Sequence, residues 1–346
     1  MFYGWPANCG IWAWGDEIAV GFTEGRHREN PHGHAFDATA PLTGVIARSR
    51  DGGDSWALER PDGYPQGYAF GSPMADDAEV GAPGPLDFTD PDLAIRCQSG
   101  GFLVSDDRCR TWRGPYAFPS FGFTDVLTAR TDYVARGSHE CLFLLSVRDR
   151  RVRSGIPDRA IGVRTVDGAQ SFELLGYMLP EQPAIRSVMP ATVQLSDGAL
   201  VSALRRRLDG LDEAGVPDAA AWIDCAISED FGRSWRLLTR VADTDAPGCR
   251  HNGNPPSLVA LPDGRLCCVY GYRAPAAGMR ARVSADAGRS WGPEIILRDD
   301  ARSWDFGYSR SALRPDGRIL SVYYYTTSTH PEQHIAATIW HPDELD

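Results

Sequence analysis

The feature that most constrains the fold is an eight-residue pattern that the chain writes five times. The clearest copies are SEDFGRSW (Ser228 to Trp235) and SADAGRSW (Ser284 to Trp291), and SRDGGDSW (Ser49 to Trp56) obeys the same rule. SDDRCRTW (Ser105 to Trp112) puts Cys109 in the glycine slot, while TVDGAQSF (Thr165 to Phe172) carries Ala169 for glycine and Phe172 for tryptophan. The pattern aspartates Asp51, Asp107, Asp167, Asp230 and Asp286 are separated by 56, 60, 63 and 56 residues. That period is the length of one small antiparallel sheet, and sheets repeated at a fixed period build a ring of blades.

Each copy follows an apolar run such as GVIARS, AWIDCAIS or MRARVS and precedes a shorter one, so it is predicted to be a hairpin turn. Aspartate accepts backbone N–H groups to close the turn, glycine takes positive φ, serine or threonine caps it, and the aromatic packs between neighbouring sheets. These residues serve the scaffold rather than chemistry. A second repeat, strand then Asp-Gly turn then strand, appears at Gln194 to Leu204, Ala260 to Arg273 and Leu313 to Tyr325, and supplies inner strand pairs. Five marked units and an unmarked last one from Trp304 to Trp340 predict an all-β, six-bladed propeller formed as one domain over 1–346. Seven blades is the alternative if Pro61 to Thr89, whose Gly, Pro and Asp content reads as a long loop, contains strands.

Composition narrows the chemistry. The net charge of −11 argues against nucleic acid or an anionic membrane as partners of the surface as a whole. All 35 basic residues are arginine, which removes Schiff-base, pyridoxal and P-loop chemistry and suits carboxylate ligands. The N-terminal stretch has no basic leader or apolar run of signal length, so a cytoplasmic location is expected. The eight cysteines form no Cys-x-x-Cys pair and are expected to be buried thiols. With no His-x-x-x-His or clustered carboxylate signature, no metal and no cofactor is expected.

The repeats resemble the Asp-box (BNR-repeat) β-propellers of the sialidase superfamily over nearly the whole chain. The segments ARTDYVARG (Ala129 to Gly137), HNGNPPSLVALPDGRLCCVYGYR (His251 to Arg273) and WDFGYSRSALRPDGRILSVYYY (Trp304 to Tyr325) look like a divergent sialidase-like subgroup. The resemblance implies a central pocket lined by loops that enter the inner strands, an arginine triad for a carboxylate, a tyrosine nucleophile activated by glutamate, and an acid/base on a first-blade loop. Tyr308 falls at the tyrosine position. The loop GRHRENPHGHAFDATAP (Gly25 to Pro41) supplies His34, Asp37 and His32 where the acid/base is expected. Arg205, or its neighbour Arg206, matches one triad arginine, with Arg250, Arg273 and Arg310 near other inner strands. Two elements depart from the pattern: ANCGIWAW has no Arg-Ile-Pro, and the activating glutamate is replaced by Met189.

The chain is also similar, more loosely, to propeller enzymes that release rhamnose from glucuronate by β-elimination. For that chemistry arginines neutralise the uronate, and His34, His251, Tyr133 and Tyr308 are candidates to move protons. Arg130, Asp132, Asn252 and Asn254 are candidate substrate contacts, and Trp12, Trp14 or Trp304 can stack on a pyranose. The expected function is an exo-acting glycoside hydrolase on terminal residues of acidic glycans. The alternatives are a uronate-directed polysaccharide lyase and a non-catalytic glycan-binding propeller; the oligomeric state is left open.

Overall fold

The structure, a computed structural model, describes residues 1–31, 33–65, 80–123, 127–128, 130–148, 158–180, 185–210, 213–214, 218–248 and 251–344. Its sheets follow the repeats. Blade four is the most regular, with antiparallel strands Arg186–Gln194, Leu200–Leu208, Ala220–Ser228 and Arg236–Asp243 hydrogen-bonded in sequence order. The same order recurs in five further sheets, so the described residues form six blades arranged as a β-propeller. Among the described residues, blades two and six have three strands each. No strand is assigned within the described part of Pro61 to Thr89, which leaves the six-bladed reading standing.

Each repeated aspartate closes the turn between the third and fourth strand positions of its blade. In blade four, Ser228 Oγ donates to Asp230 Oδ1 at 2.8 Å, Ser234 N donates to the same oxygen at 2.9 Å, and Gly232 N donates to Ser228 Oγ at 2.8 Å. Cys109 and Ala169 take the glycine slot with φ of 66° each, so the hydrogen bonds impose the left-handed conformation even where a Cβ opposes it. The turn aromatics then fill the seams. Trp235 packs on Leu142 and Leu144 of blade three, Phe172 on Phe102 and Phe118 of blade two, Trp112 on Trp12 of blade one, and Trp291 joins Val201 and Ile223 of blade four. Trp56 joins Ile18, Val20, Leu320 and Val322, which closes the ring between blades one and six.

Middle strands such as Cys141–Arg148 are almost wholly buried because neighbouring blades cover both of their faces. The seven described cysteines are buried free thiols, five in strands, Cys9 in a helical turn and Cys109 in a repeat turn; Cys249 lies outside the described residues. No helix among the described residues is long and apolar enough to cross a membrane.

The innermost strands are where regularity fails. In blade one, Phe2–Gly4 and Gly10–Trp14 both pair with Glu17–Gly25, and a single helical turn, Pro6–Cys9, interrupts them. In blade three, Leu127–Thr128 and Tyr133–Ala135 both pair with Cys141–Arg148 across a break at Arg130 to Asp132. The inner strands of blades four and six carry register shifts at Val188/Ala191 and Gly307/Arg310. Met189 and Tyr308 occupy those bulges with φ of 52° and 50°. Bulges re-aim side chains, and here both serve the axial end of the ring.

Candidate functional site

At that end lies a cavity of about 440 Å³, lined by Pro31 and Gly33, His34, His251, Asn252, Arg273, Trp304 and Tyr308. Blades one, five and six and the loop after blade four thus share one pocket. A larger cavity of about 630 Å³ opens between the turns of blades four and five, around Ser196, Pro262 and Asp286. It is lined by scaffold turns, whereas the axial pocket gathers imidazole, phenol, indole and guanidinium groups.

Tyr308 is the floor of the pocket. Its strained backbone is held by Asn254, whose Oδ1 accepts from Tyr308 N at 2.8 Å and whose Nδ2 donates to Phe306 O at 3.1 Å. A Cβ on the intervening Gly307, at φ 101°, would meet Asn254 Oδ1 at 2.2 Å, so this clamp requires glycine. Arg205 Nη1 donates to Tyr308 Oη at 3.4 Å and its guanidinium lies 5.6 Å from the ring centroid. Burial alone would push the phenol up. The charges of Arg205 and Arg273, the Arg205 hydrogen bond and the charge of Arg186 outweigh it, so Tyr308 sits below the ordinary tyrosine value.

Met189, at the position where the family pattern has glutamate, packs with Tyr308 and Tyr324 and offers its Sδ to Arg205 Nη1 at 3.3 Å. Among the described residues no carboxylate lines the pocket; acidification of Tyr308 comes from cations. Arg273 is 5% exposed, lies 5.2 Å from the Trp304 ring and is tied by Nη1 to Gly253 O at 2.7 Å. Arg205 Nε donates to Asn252 O at 2.8 Å, and Arg186 Nη1 to Asn252 Oδ1 at 3.0 Å.

Two histidines stand over this floor, each backed by a buried aspartate. His34 Nδ1 is 2.6 Å from Asp305 Oδ1, and Asp305 also accepts from Tyr324 Oη at 2.6 Å and Ala35 N at 2.8 Å. Burial acts to raise the Asp305 carboxyl, but the bonds from His34, Tyr324 and Ala35 prevail and hold it low. An ionised carboxylate only accepts, so Nδ1 of His34 carries a proton and its other ring nitrogen is the one for proton transfer. His251 Nδ1 is 2.9 Å from Asp245 Oδ2, and its ring stacks on Trp304 at 4.6 Å. The His34 and Tyr308 rings are 6.2 Å apart.

Of the expected site residues, His34, His251, Asn252, Arg205, Arg273 and Tyr308 meet here, and Trp304 joins them. Others do not. Asp37 accepts from Thr39 N and Oγ1 at 3.0 and 2.7 Å and closes its own loop. Tyr133 packs in the seam between blades two and three, where its Oη accepts from Ile95 N at 3.4 Å. Arg206 points away from Arg205, as strand alternation requires, and pairs with Asp224 at 3.2 Å. Arg130, Asp132 and Arg310 are buried deeper on the axis, Asp132 bonding Thr192 rather than the pocket. Asn254 is a buried clamp, and Trp12 and Trp14 belong to the seam between blades one and two. His32 and Arg250 lie outside the described residues. Asp305, Asp245 and Arg186 were not anticipated; the first stands three residues before Tyr308, and that proximity was the available signal.

No family model and no curated protein sequence matches the chain. Solved structures match it along nearly its full length. A protein of unknown function from Dyadobacter fermentans is 20% identical, with a TM-score of 0.65, covering 98% of this chain and 95% of that one. The intramolecular trans-sialidase of Ruminococcus gnavus is 14% identical, with a TM-score of 0.57 and coverages of 97% and 94%. The α-L-arabinofuranosidase Arb93A of Fusarium graminearum is 11% identical, with a TM-score of 0.59 and coverages of 99% and 97%. The chain therefore has the fold of a six-bladed β-propeller, the architecture of the trans-sialidase and the arabinofuranosidase that it matches.

Proposed function

We propose that the protein is an exo-acting glycoside hydrolase that takes the terminal acidic sugar of a glycan into the axial pocket. The observation that carries this reading is Tyr308, a phenol acidified by Arg205 and Arg273 at the floor of a cavity of about 440 Å³. The two guanidiniums suit the sugar carboxylate, and Trp304 offers a face for the ring. Tyrosine is a suitable nucleophile where a carboxylate nucleophile would be repelled by that of the substrate.

In the first step the phenolate oxygen of Tyr308 bonds the anomeric carbon, the bond to the leaving oxygen breaks, and His34 gives that oxygen a proton. In the second, His34 takes a proton from water, the resulting hydroxide bonds the anomeric carbon, and the phenolate leaves. Asp305 holds the imidazole and balances its charge.

A second reading, β-elimination from a uronate that carries the departing sugar at O4, is favoured by Met189 and by the absence of carboxylates among the residues described as lining the pocket. Here Tyr308 takes the proton α to the carboxylate, the electron pair forms the ring double bond, and His34 protonates the departing oxygen. Sialyl and uronosyl oligosaccharides separate the readings by product: hydrolysis adds water, whereas elimination leaves an unsaturated uronate that absorbs in the ultraviolet. Tyr308→Phe and His34→Ala each lower either activity by about 10²-fold or more. Full turnover by both variants, or binding without turnover in the native protein, contradicts the enzymatic assignment.

A further inference from the structure

Behind Met189, where the interrupted inner strands of blades one and three meet blade six, buried donors outnumber their acceptors. Arg310 Nη2 donates to Ala7 O at 2.9 Å and to Thr131 O, while Thr131 Oγ1 donates to Cys9 O at 2.6 Å. Arg130 Nη1 donates to Met189 O at 3.1 Å. These bonds leave Arg130 Nε and Nη2, Arg310 Nε and Asn8 Nδ2 buried with no hydrogen-bond partner among the described residues. The three side chains are 2%, 9% and 4% exposed, respectively.

The charges are also unequal. Two guanidiniums share this region with one carboxylate, Asp132, whose two oxygens accept from Thr192 N at 3.2 Å and Thr192 Oγ1 at 2.9 Å. Burial opposes the charge of all three groups, pushing Asp132 up to about 6 and Arg130 and Arg310 down, and by number one carboxylate does not balance two guanidiniums. An unpaired buried cation and unmet donors are each costly, and one bound ion relieves both.

We infer that Arg130, Arg310 and Asn8 form an axial binding site for a small monovalent inorganic anion of halide size. The donors are all N–H groups from three chain segments, the surplus charge is one, and the burial disfavours a multivalent oxyanion that would bring more charge than the site offsets. The anion would pin the two interrupted strands to blade six, a structural role separate from the glycan chemistry proposed for the pocket.

Melting of the full-length protein in chloride, bromide or nitrate against gluconate, at fixed ionic strength, tests the site. A saturable rise of about 2 °C or more is expected with the small anions, and it is expected to disappear in Arg130→Met or Arg310→Met. Crystals grown in bromide are expected to show one anomalous peak between these donors, which decides the matter should either variant fail to fold. Equal melting in bromide and gluconate together with only water between the donors overturns the inference.

Discussion

At the scale of the residue, the account rests on a phenol governed by its neighbours' charge. Tyr308 must be a phenolate to attack, so ionisation of the phenol should appear as one limb of kcat/KM against pH. Because the guanidiniums hold that ionisation below the ordinary value of 10.0, the limb should level off below pH 10. Arg205→Met removes the leading opposing charge and a hydrogen bond while burial remains, which moves the limb to higher pH. A pH–rate profile of the variant checks this; an unmoved limb assigns the titration to another group. The sequence singled out Tyr308, His34 and Arg205, and the structure brings the three side chains near one another. Their partners were not legible. Asp305 lies 271 residues from His34, and strand alternation, not spacing along the loop, decides that Arg205 faces the pocket and Arg206 does not.

Among the elements, the bulge of blade six and the repeated turns carry separate predictions. Asn254 grips the backbone on both sides of Gly307, so Asn254→Ala should lower kcat by about tenfold or more while KM changes less, because it misplaces the nucleophile rather than the sugar contacts. Steady-state kinetics on the native substrate checks the split. The turns act through protonation. Bonds from Ser55 and Ser49 draw Asp51 down from 3.8 to about 2, and those from Ser290 and Ser284 do the same for Asp286. A carboxyl lowered on folding contributes stability above its unfolded value that is lost as pH falls through its folded value, so this contribution fades between about pH 4 and pH 2. Acid titration of Asp286→Asn, followed by circular dichroism, should show less loss over that window than the native protein. The turns were legible because one hydrogen-bond pattern demands the same residue types five times. The breaks at Pro6–Cys9 and at Arg130 to Asp132 were not, because each is held by bonds to another blade, such as Thr131 Oγ1 to Cys9 O.

For the whole molecule, closure of the ring positions the pocket. Its residues come from the first-blade loop, the loop after blade four and the fifth and sixth blades, and only a closed ring brings His34 to Asp305. The closing seam packs Ile18 and Val20 against Leu320 and Val322, beneath Trp56. Leu320→Ala empties a fully buried position there and should cost about 3 kcal/mol in urea unfolding. Stability within about 0.5 kcal/mol of the native protein would show that the seam does not carry closure. The period of the repeat made the blade number readable, whereas the contents of the pocket depend on which loops closure brings together.

The central claim, hydrolysis through Tyr308, is tested most directly by turnover of a sialyl or uronosyl oligosaccharide in heavy-oxygen water, with mass analysis of the released acidic sugar. The account predicts one solvent oxygen at the anomeric carbon of that sugar and loss of the product in Tyr308→Phe. An unsaturated sugar without solvent oxygen contradicts hydrolysis and assigns the same pocket to elimination.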